Sequence, residues 1–160
     1  MRIVPKAKVY IETTIVSYLT ALPSRDVVRA AHQKLTLEWW QSRERFDLYA
    51  SEAVIQEATA GHPEPSARRL AALEGCTVVA VNAQVAELAR ALLAANALPA
   101  KAMVDALHVA AAAVHGIDYL LTWNCKHIAN AATRGIIEET CREAGYEPPT
   151  ICTPEELTED

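Results

Sequence analysis

Short β-branched and aromatic runs alternate with longer segments of helical period along this chain. Residues 8–12 (KVYIE) read as a strand, and Thr13 or Thr14 can cap a helix that continues through Leu22 until Pro23 stops it. Ser24 and Asp26 open a longer helix through Gln41, with Val27, Ala30, Ala31, Leu35, Leu37 and Trp40 as its apolar stripe. Residues 46–50 (FDLYA) alternate as a strand does, and Ser51 caps the helix EAVIQEATA, which Gly61 ends. Pro65 and Ser66 begin a helix to about Glu74, and residues 77–81 (TVVAV) form a continuous apolar strand suited to burial on both faces. Asn82 caps an alanine-rich helix to Asn96.

After the break at residues 98–101, residues 102–115 (AMVDALHVAAAAVH) form a helix whose small side chains allow close packing on a sheet, closed by Gly116. Residues 117–122 are the next strand, 126–134 a short helix, 136–144 a last helix and 150–153 an edge strand. The acidic tail PEELTED reads as exposed or frayed. Strands alternating with helices predict an α/β fold with a parallel sheet covered on both faces.

A length of 160 residues suits one domain able to bury its own core, expected to span 1–160 with its body at about 8–157. With 51% apolar and 22% charged residues the chain reads as ordered and globular. No apolar run is long enough for a membrane span and the N-terminus lacks the apolar stretch of a signal peptide, so a soluble, cytoplasmic protein with no membrane partner is expected. Cys76, Cys125, Cys141 and Cys152 form no CxxC pair and read as free, mostly buried thiols. The net charge of −5 argues against a chain that coats nucleic acid nonspecifically, leaving only local basic patches for that purpose.

Glu12, Glu57 and Asp105 each lie beside a core-forming segment, and Asn124 adds a polar position in DYLLTWNCKH. A carboxylate there is costly unless it is paired or bound to a cation, so these positions suggest one convergent site at the C-terminal edge of the sheet. No GxGxxG, GxxxxGK[ST], Gly-x-Ser-x-Gly or HExxH pattern is present, which removes dinucleotide, P-loop, serine-hydrolase and zincin chemistry. A response-regulator-like phosphoacceptor would also gather acids around Mg²⁺, but it needs an acidic pair near the first strand and an Asp ending a later one; FDLYASE and TVVAVNA do not supply them. Carboxylate oxygens without His or Cys select Mg²⁺ or Mn²⁺, whose characteristic work is phosphoryl transfer. His108, one turn after Asp105, reads as a packed or solvent-facing histidine, and Trp123 as core or rim.

The succession KVYIETTIVSYL, SEAVIQEA and VDALHVAAAAVHGIDYLLTWNCKHIAN resembles the PIN domain, most closely the VapC-like toxin ribonucleases of toxin–antitoxin modules, over roughly residues 8–157. The block 104–130 is the most specific part of the likeness. The resemblance implies a three-layer α/β/α fold with a central parallel sheet of four to five strands. It also implies Mg²⁺- or Mn²⁺-dependent cleavage of RNA, homodimerisation and inhibition by a cognate antitoxin. Its acidic positions fall on Glu12, Glu57, Asp105 and Asn124, with the hydroxyl two places after the first acid on Thr14; family register prefers Glu57 to Glu52, which reads as a charge favoured by the helix dipole. Two positions depart from the family, where Asp is common in place of Glu12 and of Asn124. Asn124 keeps an oxygen ligand but removes a charge, so one metal is held more firmly than a second. Lys101, Lys126 or His127 would steady the phosphate. The alternative is a PIN-fold module that no longer cuts and acts through protein or RNA contacts.

Overall fold

The computed structural model describes residues 4–158. Its strands are β1 (Lys8–Ile11), β2 (Asp47–Ser51), β3 (Thr77–Val79), β4 (Tyr119–Leu121) and β5 (Thr150–Cys152). Its α-helices are α1 (Thr13–Thr20), α2 (Val27–Gln41), α3 (Glu52–Thr59), α4 (Pro63–Leu73), α5 (Ala83–Ala94), α6 (Met103–Val114) and α7 (Arg134–Glu143). The strands form one sheet in the order β3-β2-β1-β4-β5, and every pairing is parallel.

That order dictates where the helices go. The chain first moves outward from β1 to β2 to β3, then returns to the other side of β1 through β4 and β5. Right-handed crossovers therefore place α1–α4 on one face and α5–α7 on the other. Packing agrees in that α1 touches α2, α3 and α4 while α5 touches α6 and α7; α3 and α6 also meet, where Glu57 contacts His108. β1 and β4 are the neighbours at which the direction reverses, and the crevice beyond their C-terminal ends is the natural ligand site of such a sheet.

The central strands are apolar because both faces are covered: Val9, Tyr10, Ile11, Leu120 and Leu121 are all buried. On α6, Ala106 and Ala110–Ala113 are buried, and their lack of bulk lets α5 and α6 pack closely. Asp26, Ser51 and Asn82 cap α2, α3 and α5 by accepting from the N–H groups of Arg29, Ala53 and Val85. Gly116, at φ 67°, takes the left-handed turn that ends α6, which a Cβ would disfavour.

Several local expectations are corrected. Residues 77–81 do not form a strand buried on both faces: β3 is a three-residue edge strand with Thr77 and Val78 exposed, and Val81 N–H instead donates to Glu52 Oε1 at 2.7 Å. The stripe proposed for α2 holds only in part: Leu35 and Trp40 pack half-buried against the core, but Val27, Ala31 and Leu37 are exposed while Thr36 and Trp39 are buried. Polar Thr36 lies inside because its hydroxyl donates to His32 O and accepts from Trp123 Nε1, which satisfies both groups. The helix expected at 126–134 is a pair of turns, because the side chains of Asn124 and Asn130 accept from the N–H groups of His127 and Ala132 and so compete with helical bonding.

Smaller shifts occur at element ends. α4 starts at Pro63 rather than Pro65, as suits a proline in the first turn, and α1 stops at Thr20 because Ala21 is already extended. In the tail Pro154 is buried and Glu155 and Glu156 are exposed; Glu159 and Asp160 lie outside the described residues. Among the described residues no helix is long and apolar enough to cross a membrane. Cys141 and Cys152 are buried, Cys76 is half-buried and Cys125 is exposed, all as free thiols.

Candidate metal centre

Glu12 follows the last residue of β1, and its backbone N–H still donates to Leu121 O, so the strand pairing holds it over the switch-point crevice. It also caps α1, the role expected of Thr13 or Thr14: its carboxylate accepts from Thr14 N–H at 3.1 Å. Its Oε1 accepts from the Thr14 and Thr122 hydroxyls, each at 2.5 Å. The side chain is only 3% exposed, and burying an unpartnered carboxylate costs several kcal/mol. Hydrogen bonds to a carboxylate contribute about 1.5–3 kcal/mol each, so the three donors found here offset much of that cost.

Glu57 comes from the last turn of α3 and is half-buried. Its Oε1 accepts from Thr13 Oγ1 at 2.6 Å and pairs with His108 Nε2 at 2.5 Å, while no described residue bonds its Oε2. Burial pushes this carboxyl upward, the hydrogen bonds from His108 and Thr13 pull it down, and Glu57 is held below the usual carboxylate range. It is therefore a ready anion at neutral pH. The ligand-type atoms of Glu12, Glu57 and His108 all lie within 4.8 Å of one another.

The other two sequence candidates stand beside this trio. Asp105, in the first turn of α6, lies three residues before His108 and shares its face, but it is outside the 4.8 Å group, and its Oδ2 pairs with His127 Nδ1 at 2.8 Å. Asn124 Oδ1 accepts from His127 N–H, and Asn124 N–H donates to Thr122 Oγ1, which in turn donates to Glu12. A continuous chain of hydrogen bonds thus runs from Asp105 through His127, Asn124 and Thr122 to Glu12, and gathers all five at one end of the sheet. Thr14 sits in the middle, donating to Glu12 and accepting from Trp123 N–H at 2.9 Å. Trp123 itself is largely buried and stacks on His32 at 4.0 Å between ring centroids, so it belongs to the packed rim.

Sequence reasoning passed over His108 as a site residue. Its ring is fully buried between Tyr10 and Glu57, and the only signal in the sequence was its spacing of one turn from Asp105. Glu52, by contrast, lies in the first turn of α3 and bonds Val81 N–H, a structural task away from the trio.

The residues fit a hard divalent cation on the chemistry of their free atoms. Each carboxylate oxygen offers two lone pairs. Glu57 Oε2 keeps both, Glu12 Oε2 keeps one after accepting from Thr14 N–H, and Asp105 Oδ1 has no bond from a described residue. Lone pairs of this kind, on carboxylate oxygens at a crevice, are what Mg²⁺ and Mn²⁺ take as ligands.

No family model matches the chain, and no curated protein matches it. Among solved structures, VapBC2 from Rickettsia felis, bound to a DNA fragment from its promoter, contains a chain that aligns with 91% of this one and 98% of its own length, at a TM-score of 0.56 and 14% identity. That likeness speaks to the path of the backbone, and it agrees with the all-parallel five-stranded sheet. The chain has a VapC-like PIN-domain fold.

Proposed function

We propose that this protein is a Mg²⁺- or Mn²⁺-dependent endoribonuclease and the toxin of a toxin–antitoxin module. The observation that carries this reading is the meeting of Glu12 and Glu57 at the β1–β4 switch point, each with a free carboxylate lone pair beside the other. Glu12, Glu57, Asp105 and Asn124 would hold the cation, which when bound lowers the pKa of a water for attack on a phosphodiester and offsets charge on the departing oxygen. The chain's own contribution is preorganisation. Thr14 and Thr122 fix Glu12, Thr13 and His108 fix Glu57, and His127 fixes Asp105, so the acids need little rearrangement to receive a cation. Lys101 and Lys126 are exposed near the starts of α6 and of the Asn124 turn, where they can meet the phosphates of an RNA strand. An antitoxin partner is supported by the structural neighbour, itself a VapBC complex, and a homodimer by the resemblance.

One observation favours a second reading, a PIN-fold binding module that no longer cuts. Asp105 and Asn124 are both engaged by His127, and Asn124 brings no charge. Cleavage of a mixed RNA pool by the wild type and by Asn124→Asp, with Mg²⁺, Mn²⁺ or chelator, separates the two. The ribonuclease reading expects chelator-sensitive cleavage by the wild type. Cleavage should persist or rise in Asn124→Asp, because Asp can still accept from His127 N–H while adding a charged oxygen. Absence of cleavage by both proteins at every metal concentration would establish the binding module, and cleavage that survives chelation would defeat the metal mechanism.

A further inference from the structure

The contact that holds Glu57 is one end of a buried chain that starts at Ser51. Ser51 Oγ and Tyr10 OH are 2.6 Å apart, Tyr10 OH and His108 Nδ1 are 2.7 Å apart, and His108 Nε2 meets Glu57 Oε1 at 2.5 Å. Ser51, Tyr10 and His108 are all fully buried, so each proton in the chain must find an acceptor within it. An ionised carboxylate only accepts, which puts a proton on Nε2. The Ser51 oxygen already accepts from Ala53 N–H, and no other described residue is placed to take its proton.

Only one arrangement then uses every proton. Ser51 O–H donates to the Tyr10 oxygen, Tyr10 O–H donates to His108 Nδ1, and His108 Nε2–H donates to Glu57 Oε1. The opposite direction, with Nδ1–H donating to Tyr10 and Tyr10 to Ser51, strands the Ser51 proton in the core.

We propose that His108 is a positioning residue: its ring, locked by Tyr10 and Ser51, presents Nε2–H to Glu57 Oε1, pins that oxygen and leaves Oε2 as the oxygen offered to a cation. The proposal rests on the metal reading above for the purpose of that oxygen, and on the hydrogen-bond chain for the state of the ring. His108 does not itself ligate the ion, because its Nε2 lone pair is spent on the proton it donates. Thr13 adds the second bond to the same oxygen, so Oε1 is saturated and the carboxylate cannot swing freely.

Long-range ¹H–¹⁵N correlation on the histidine-labelled full chain tests the ring directly. Metal-free protein should show His108 protonated at Nε2 and bare at Nδ1, and the pattern should persist when diamagnetic Mg²⁺ is added. A ring protonated at Nδ1, or at both nitrogens, overturns the proposal, and so does loss of the Nε2 proton on Mg²⁺ addition, which would make His108 a ligand. Calorimetry with Mn²⁺ tests the consequence. His108→Leu should weaken binding about 10- to 100-fold, the usual effect of removing a partner of a metal ligand. His108→Gln, which keeps an N–H donor and a polar side chain of similar reach, should recover most of that loss. Equal affinity in wild type and His108→Leu, or no recovery in His108→Gln, overturns the positioning role. A wild type that shows the Nε2–H ring but binds no Mn²⁺ faults the metal reading and leaves the assignment of the chain standing.

Discussion

Glu57→Gln should lower Mn²⁺-dependent RNA cleavage by about a thousandfold or more while leaving the chain folded. The carboxylate is the one member of the trio with an entire oxygen unbonded by described residues, so it is the strongest available anchor for a cation. Losing several kcal/mol of charge stabilisation corresponds to at least that factor in rate. The amide also fits the surroundings badly. Thr13 and His108 present two donors to Oε1, so the amide carbonyl must stay there and the NH₂ group occupies the position of Oε2, where it repels a cation. Single-turnover rates with circular dichroism on the same samples check this. A rate within tenfold of wild type in a folded variant would show that Glu57 does not hold the ion.

Leu120→Ala should cost about 2–5 kcal/mol of stability, a large share of the roughly 5–15 kcal/mol typical of a domain. Leu120 is fully buried in β4, the strand paired on both sides by β1 and β5, so the cavity cannot be relieved by solvent. At about 2–4 °C per kcal/mol for a chain of this size, the melting temperature should fall by roughly 4–20 °C. Val78→Ala serves as the contrast. Val78 is 47% exposed on the edge strand β3 and should change stability by less than about 1 kcal/mol. Urea unfolding of both variants is the measurement. Equal losses would mean that β3 is a buried strand after all.

These contrasts mark what the sequence could reveal. The caps at Asp26, Ser51 and Asn82 were readable because capping involves a side chain and an N–H two or three residues away. The alternation of apolar runs with helical segments gave the parallel α/β sheet for the same reason, since periodicity is local. The edge position of β3 was not readable: TVV is as apolar as a central strand, and only the order β3-β2-β1-β4-β5 leaves one of its sides unpaired. The face of α2 was legible only in part, at Leu35 and Trp40, because its buried side also uses Thr36, whose polarity is satisfied by Trp123 from 87 positions away.

The site divides along the same line. Glu12 and Glu57 stood out as acids beside apolar segments, and the structure brings them together. The partners that set their state are separated from them by long stretches of chain: His108 reaches Glu57 across 51 positions, and Thr122 reaches Glu12 across 110. No pattern of spacing announces such pairs. The His127 contact to Asp105 is of this kind too, and it partners one oxygen of a carboxylate at the start of an apolar helix.

Diffraction at the manganese absorption edge from crystals of the full chain soaked in Mn²⁺ tests the metal centre most directly. The expected result is an anomalous peak at the β1–β4 switch point, within coordination distance, about 2–2.5 Å, of Glu57 Oε2 and of a Glu12 oxygen. A peak bound only elsewhere on the molecule, or none beside Glu57 at saturating Mn²⁺, would contradict the assignment of these carboxylates as a metal site.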